Sequence, residues 1–314
     1  MSNKINKKKN IVSVFFTEFI RIKNVMEWSL ISFGGFILGI SSSDLLSYSI
    51  PLLVFLISTF CIMSFTFSIN NYYDVESDRI NPRRININAI ASGRISKQAG
   101  IFLNIILIII PLVVTFLFKF EVFLSCIVFI IWMWVYSAPP LRLKSRPGLD
   151  VIWHFFAFVI FVLWGSFIAG SVGLINWLVA ISIGVFSCIG QVENHIYDYS
   201  FDKSSKTITF AVWLGLGKTK VALKIFAIAH FILLVPLVLF YISSYLITII
   251  SVCLITAIGL IILKVKKDAL RPHVFIITYL AFILGGAVYF SVFVYHICTL
   301  FGIQPLELLV FSII

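Results

Sequence analysis

The chain has 314 residues, of which 61% are hydrophobic and 12% are charged, and its mean hydropathy is +1.08. Soluble globular domains carry about 25% charged residues, so this composition excludes a soluble domain and indicates an integral membrane protein. The formal net charge is +11. Because the basic residues are spread over loops between apolar segments and form no domain with a groove, we expect no nucleic-acid partner.

Apolar segments of about 20 residues recur along the chain, and each is long enough to cross about 30 Å of hydrocarbon as a helix. They predict an all-α, polytopic membrane protein built as a bundle of nine transmembrane helices. A basic, partly amphipathic segment (1–25) precedes the transmembrane domain (26–299), and a short apolar tail (300–314) follows it. The predicted spans are 26–47, 51–72, 100–118, 121–138, 151–171, 174–196, 220–241, 243–264 and 273–299.

The placement of Lys and Arg predicts the orientation, because basic residues in short loops are retained on the cytoplasmic side. With the N-terminus inside, all of the 24 Lys and Arg residues except Lys119 fall on the cytoplasmic side. The opposite loops near 41–50, 171–174 and 241–243 contain none. We therefore expect a multi-pass protein of the cell membrane, in contact with membrane lipids, whose N-terminus is cytoplasmic.

The second predicted span ends in a polar stretch, Asn70 to Asn81. On a helix, Asn70, Asp74 and Asp78 fall within about 80° of arc, so their side chains share one face. Carboxylates four residues apart repel by roughly 0.2 to 0.5 kcal/mol in water and by more at low dielectric, and a divalent cation would reverse the sign. Pro82 predicts that the helix ends near Asn81.

The fourth predicted span ends in a basic loop. Pro139 and Pro140 stop the helix, and Arg142, Lys144 and Arg146 follow on a short connection to the next span. These cations suit an anion, but they are also what membrane topology alone requires. The loop by itself does not decide between the two interpretations.

The end of the sixth predicted span repeats the pattern of the second. Aligned without gaps, residues 194–203 match 70–79 at four identities, and Lys203 keeps the charge of Arg79. Both copies read Asn-x3-Asp-x3-Asp-basic, and both end an even-numbered span on the predicted cytoplasmic face. Two such carboxylate pairs beside basic loops suit Mg²⁺ bound through oxygen, which in turn binds a phosphorylated substrate.

With these motifs in place, the chain resembles the UbiA superfamily of intramembrane prenyltransferases over nearly its whole length. The segments that carry the resemblance are Asn70 to Asn81, Ala91 to Ser96, Tyr136 to Asp150 and Asp198 to Gly215. The resemblance implies a nine-helix bundle in which the two aspartate-rich motifs hold Mg²⁺ and an isoprenyl diphosphate, such as geranylgeranyl diphosphate. It also implies an apolar tunnel, open towards lipid, for the prenyl chain, and an active site on the cytoplasmic side.

The resemblance also assigns roles to individual residues. Four aspartates would be the metal-binding and catalytic residues: Asp74, Asp78, Asp198 and Asp202. The candidates for binding the diphosphate are Asn70, Arg79, Tyr136, Arg142, Lys144, Asn194 and Lys203.

Three positions depart from the family pattern. Asn71 stands where family members often carry a third aspartate, Asn88-Ala89 stand where many carry Arg-Pro, and Ser204-Ser205 replace a common Ala-Gly. None of these departures removes a candidate metal ligand. The acceptor would be lipophilic or aromatic, with a quinone precursor or an archaeal ether-lipid precursor favoured.

Two other functions are compatible with the paired carboxylates. One is a membrane transporter that uses them as an ion site, and the other is a non-catalytic relative that binds isoprenoid lipids. A transporter would carry such groups near the middle of the membrane, whereas here they stand at helix ends beside cations. This position favours the transferase.

Overall fold

The computed structural model describes residues 10–81, 84–204, 207–240 and 275–303, and every regular element within these ranges is helical. The predicted all-α class is therefore confirmed for this part of the chain. In chain order the helices are α1 (Ile11–Val14), α2 (Ile22–Gly39), α3 (Ser49–Tyr73), α4 (Val75–Ile80), α5 (Lys97–Phe118), α6 (Phe120–Ser137), α7 (Leu149–Ala169), α8 (Leu174–Ser204), α9 (Phe210–Leu214), α10 (Leu216–Phe240) and α11 (Phe275–Leu300).

Seven of these helices are long and apolar enough to cross a membrane, namely α3, α5, α6, α7, α8, α10 and α11. The chain is thus a multi-pass membrane protein. Helix α2 coincides with most of the first predicted span but is not among the seven, and the predicted span 243–264 lies outside the described residues. The count of nine spans stays a prediction.

The helices group into two compact units. The first unit consists of Met1–Leu30 and Ile50–Arg142, and the second consists of Ile31–Ser49 and Leu143–Ile314. The first copy of the aspartate motif belongs to the first unit, and the second copy belongs to the second unit.

Within the first unit, helices α3 and α5 are joined by a buried polar contact. Ser68 Oγ donates to Asn104 Oδ1 at 2.6 Å, and Asn104 Nδ2 donates to the Gly100 carbonyl at 2.8 Å. Burying polar groups in apolar helices is costly unless they are hydrogen-bonded. This contact satisfies both side chains one turn before the polar end of α3.

Within the second unit, the C-terminal half of α2 packs closely on α7 through glycine. A Cβ at Gly35 would overlap the Val162 carbonyl, and a Cβ at Gly165 would overlap the Ser32 carbonyl. Ser166 Oγ donates to the Gly35 carbonyl at 2.8 Å across the same contact. Small residues allow this backbone approach, as is common between membrane helices.

Candidate active site

The first motif lies where α3 meets α4. The helix is interrupted at Asp74, whose φ and ψ are −97° and 5°, but its hydrogen bonds continue: Asp74 N donates to the Asn70 carbonyl at 3.1 Å and Asp78 N to the Asp74 carbonyl at 2.8 Å. Helix α4 ends at Ile80 and Asn81 is extended. The predicted end of the helix before Pro82 is confirmed.

Asn70 and Asp74 face the loop that follows α6. Arg142 Nη2 donates to Asp74 Oδ1 at 3.0 Å, and Ser137 Oγ donates to Asn70 Oδ1 at 3.1 Å. Arg142 has a positive φ of 38°, which is uncommon outside glycine. The first unit therefore brings three of the predicted site residues together, and Tyr136 lies half-buried next to Ser137 at the end of α6.

Asp78 faces a different neighbour, the loop 84–96. Asn88 is fully buried, and its Nδ2 donates both to Asp78 Oδ2 at 2.9 Å and to the Asn71 carbonyl at 2.8 Å. Asn88 Oδ1 accepts from the backbone N–H groups of Ile90 and Ala91. The Asn88 amide thus joins Asp78, a predicted metal ligand, to the turn of this loop. Arg at this position would have no acceptor for the two backbone N–H groups.

The contacts of Asn71 account for the second departure from the family pattern near the first motif, the amide in place of a third aspartate. Its Nδ2 donates to the carbonyls of Glu18 and Phe19 at 2.8 and 3.0 Å, and its Oδ1 accepts from Arg21. An aspartate has no N–H to donate to those carbonyls. Asn71 therefore anchors the N-terminal segment on α3, where the sequence pattern alone suggested only a missing carboxylate.

The N-terminal segment 10–21 is also held by an ion pair. Glu18 Oε2 lies 2.6 Å from Arg94 Nη2, and the Glu18 side chain is almost fully buried. This pair joins the segment to the loop that carries Asn88. The segment, the loop and the end of α3 form one network around the first motif.

Arg21 belongs to this network and was missed by sequence reasoning, which treated it only as a topology signal. Its φ is 56°. Burial lowers the pKa of the Arg21 guanidinium from its ordinary value, as does Arg84, whereas Asp78 and Asp74 raise this pKa. Arginine nevertheless stays protonated in proteins, so a cation stands beside two predicted metal ligands.

The second motif lies at the end of the uninterrupted helix α8. Asp198 and Asp202 are half-buried one turn apart, Asn194 is exposed, and Lys203 Nζ lies 5.8 Å from the centroid of the Tyr199 ring. The predicted helical spacing of this motif is confirmed. Arg79 of the first motif is likewise exposed, near the end of α4.

A buried polar cluster supports the second motif. His195 Nε2 lies 3.0 Å from Asp150 Oδ2, and Gln191 Nε2 lies 3.1 Å from His195 Nε2. Asp150 is in the first turn of α7, so the cluster joins α7 to α8 at the level of the motif. The sequence singled out His195 as the histidine beside the motif, but it gave no partner for it.

The donor set suits Mg²⁺, which prefers carboxylate oxygens. Two aspartates at one helix end in each unit, with an asparagine four residues before them, are oxygen donors of the required type. In the described ranges, no group of three His, Cys, Asp or Glu side chains is close enough to hold a metal by itself. The described parts of the chain therefore show no complete all-protein metal cage, and Mg²⁺ in this class of site is commonly completed by water and substrate phosphate.

These features define a class of protein, a polytopic helical membrane protein with two aspartate-bearing helix ends beside basic side chains. The sequence pattern described as the UbiA prenyltransferase family matches residues 30–283, most of the chain, and the protein belongs to that family.

Curated relatives are similar over part of the chain. A lycopene elongase/hydratase of Corynebacterium glutamicum is 26% identical over 151 residues, which cover 48% of this chain and 53% of that protein. The chain thus spans about half the length of that relative. A digeranylgeranylglyceryl phosphate synthase of Sulfurisphaera tokodaii is 26% identical over 220 residues, covering 68% of this chain and 76% of that protein.

Solved structures confirm the fold. A UbiA homolog from Archaeoglobus fulgidus superposes with a TM-score of 0.63 at 22% identity, covering 90% of this chain and 98% of that one. The structure of a UbiA homolog from the same organism bound to GPP and Mg²⁺ gives a TM-score of 0.60 at 23% identity, covering 85% and 98%.

Proposed function

We propose that this protein is an intramembrane prenyltransferase that moves a prenyl group from an isoprenyl diphosphate to a lipophilic or aromatic acceptor. The observation that carries the proposal is the first motif: two aspartates at one helix end, with Arg142 Nη2 3.0 Å from Asp74 Oδ1. A site with both carboxylates and a cation suits a metal-bound diphosphate, because the carboxylates can bind the metal and the cation can bind the diphosphate. Family membership and the activities of the relatives support the same reaction.

In this proposal both copies of the aspartate motif serve binding of the isoprenyl diphosphate. Asp74, Asp78, Asp198 and Asp202 hold Mg²⁺, and the UbiA homolog solved with GPP and Mg²⁺ supports that choice of metal and donor. Bound Mg²⁺ would neutralise the negative charge that develops on the diphosphate as it leaves. The side chains that orient the diphosphate are Asn70, Arg79, Tyr136, Arg142, Lys144, Asn194 and Lys203.

The chain's own residues then favour departure of the diphosphate. The bond between the allylic carbon and the diphosphate oxygen breaks, and its electron pair leaves with the diphosphate. Preorganised donors such as Arg142 stabilise the negative charge where it develops, at little cost of reorganisation. The acceptor's nucleophilic atom forms the new bond to the allylic carbon and loses a proton.

The proposal also covers the membrane side on which the active site lies and the substrates. The charge asymmetry of the loops supports an N-terminus and active site on the cytoplasmic side of the cell membrane. Geranylgeranyl diphosphate is the first donor to test, since three of the curated relatives are digeranylgeranylglyceryl phosphate synthases. Quinone precursors and archaeal ether-lipid precursors are the acceptor classes we favour.

The test uses the full chain purified in detergent and reconstituted into liposomes. With Mg²⁺, labelled geranylgeranyl diphosphate and a panel of acceptors, we expect release of diphosphate and a prenylated product, both abolished by EDTA. Binding of the donor without turnover on every acceptor would favour the non-catalytic relative. Ion flux through the liposomes without transfer would favour the transporter.

A further inference from the structure

The two carboxylates of the first motif are held by groups of different charge. Arg142 Nη2 donates to Asp74 Oδ1 at 3.0 Å. Asp78 Oδ2 instead accepts from the Asn88 amide at 2.9 Å. An amide brings no charge to the carboxylate it bonds, whereas a guanidinium brings a full positive charge because arginine stays protonated. A divalent cation is therefore opposed at Asp74 by the charge of a bonded arginine, while the group bonded to Asp78 is neutral.

Solvent does not remove this repulsion at Asp74. The side chain of Asp74 is 18% exposed and that of Arg142 is 37% exposed. Charges at such partly buried positions interact through a lower effective dielectric than charges in bulk water, and salt screens them less. Arg142 and a doubly charged metal ion therefore compete for the same carboxylate.

Arg21 is a further cation at this motif, but it acts on both aspartates. The charges of Asp78 and Asp74 both raise the pKa of the Arg21 guanidinium. Arg21 is also fixed in place, because it donates to the fully buried Asn71. It supplies a constant background charge, so the difference between the two carboxylates comes from Arg142.

Arg142 can exchange its partner by moving its side chain alone. The backbone of its loop is restrained, because Pro139 and Pro140 have restricted φ angles and Arg142 N donates to the Ala138 carbonyl at 2.7 Å. The guanidinium is held less completely, since Nε is buried and has no hydrogen-bond partner among the described residues. Buried donors in proteins are nearly always paired. A diphosphate oxygen would give the fork of Nε and Nη2 an acceptor that Asp74 alone does not supply.

We propose that Arg142 makes metal binding at the first motif depend on the donor diphosphate. While Arg142 is bonded to Asp74, its charge opposes the metal. When the donor binds, the guanidinium passes to a diphosphate oxygen and Asp74 becomes available to Mg²⁺. Arg142 is then on the diphosphate before the allylic bond breaks, so its preorganisation for that step is kept.

This inference rests on the proposed function for the identity of the donor. Its new content is that one residue couples the two ligands and acts on them with opposite signs. Arg142 weakens binding of the metal alone and strengthens binding of the donor. A prenyl alcohol carries no anion that could draw Arg142 away from Asp74, so the coupling also selects ligands that carry the diphosphate.

The first measurement is binding of the metal alone. Mn²⁺ is the probe, because the electron paramagnetic resonance signal of free Mn²⁺ falls as the ion binds. The full chain carries Asp198→Asn/Asp202→Asn in this titration, so that the signal reports the first motif. In this parent chain, Arg142→Asn should lower the Kd for Mn²⁺ about tenfold, since asparagine removes the charge and tolerates the positive φ of this position. Arg142→Lys keeps the charge and should stay within about threefold of the parent.

The second measurement is binding of the donor at saturating metal, in the chain with its second motif intact. The probe is an analogue of geranylgeranyl diphosphate in which sulfur replaces the bridging oxygen, so that departure of the diphosphate is slow. Arg142→Asn should raise the Kd of this analogue about 10- to 100-fold, the loss expected for a charge-assisted hydrogen bond. Arg142→Lys should raise it less. Geranylgeraniol, which lacks the diphosphate, should leave the Kd for Mn²⁺ of the parent chain unchanged.

Two further variants control for charge and for folding. Arg146→Asn removes one exposed charge from the same loop and should leave both Kd values within about threefold. Arg142→Gly is a second neutral variant, and glycine adopts φ 38° without strain. It decides the result if the asparagine variant unfolds at a lower temperature than the parent chain.

The opposite signs of the two effects separate this proposal from a loss of structure and from the proposed reaction. A misfolded variant would bind both probes more weakly, so tighter Mn²⁺ with weaker analogue binding supports the role of Arg142. A Kd for Mn²⁺ that is unchanged or higher in both neutral variants would overturn it, whether or not transfer occurs. If both Kd values shift as expected but no acceptor is prenylated, the reaction fails and the coupling by Arg142 stands.

Discussion

The two copies of the Asn-x3-Asp-x3-Asp pattern are supported in different ways. The first copy lies on a helix interrupted at Asp74 and is held by side chains from other elements, Arg142 on Asp74 and Asn88 on Asp78. The second copy continues one unbroken helix, α8, with a buried cluster at His195 beside it. The first copy is thus held across a break in its helix, whereas the second keeps unbroken helical spacing beside its supporting cluster. Substitutions outside the motif should therefore disturb the first copy more than the second.

The largest effect should come from Arg94→Gln, which breaks the network around the first copy. Glu18 would remain buried without its charged partner, at a cost of about 3 to 5 kcal/mol in the free energy of unfolding. Thermal unfolding of the detergent-solubilised protein measures it. The double variant Glu18→Gln/Arg94→Gln should recover most of the loss, because no buried charge is left. If the double variant is as unstable as the single one, the ion pair between Glu18 and Arg94 does not stabilise the N-terminal segment 10–21.

Asp150→Asn tests the support of the second copy. It removes the charged acceptor beside His195 and should cost about 1 to 3 kcal/mol in stability. Glu193→Gln, on the same helix, is the matched control and should change stability by less than about 0.5 kcal/mol. Indistinguishable unfolding curves for the two variants would mean that the buried cluster contributes nothing.

The smallest effect should come from Ser137→Ala, which removes the hydroxyl that donates to Asn70 Oδ1. One neutral hydrogen bond contributes about 0.5 to 1.5 kcal/mol, so the KM for the isoprenyl diphosphate should rise about two- to tenfold. Ser125→Ala removes a hydroxyl that bonds only within α6, to the Val122 carbonyl, and should leave that KM unchanged. If this KM rises by the same amount in both variants, the cause is disturbed packing of α6 and not the lost bond to Asn70.

The features that could be predicted from the sequence are those that depend on residues close together along the chain. Apolar runs predicted the long helices, Pro82 predicted the end of α4, and the repeated spacing predicted that each pair of aspartates shares a helix end. Family membership followed from the same motifs. These predictions hold because they depend on residues a few positions apart along one helix.

The contacts that fix the first copy could not be predicted in this way. Arg21 meets Asn71 across 50 positions, and Asn71 reaches the Glu18 carbonyl across 53. No helical or strand period links such residues. The available signal was that Asn71 and Asn88 both replace charged or acidic family residues near one helix end, and an amide at such a position can both donate and accept. That pattern indicated a difference but did not identify the partners.

The central claim is that the two motifs serve one donor site, and a double-mutant cycle on kcat/KM for prenyl transfer tests it most directly. Asp74→Asn and Asp198→Asn should each lower kcat/KM by about 10²-fold or more, as loss of a group that stabilises developing charge does. Glu76→Gln, an exposed neighbour on α4, is the control for the first variant. The double variant should be little worse than either single one, because residues that act as a unit are not additive. Full activity in either single variant, or losses that multiply in the double variant, would contradict a shared site.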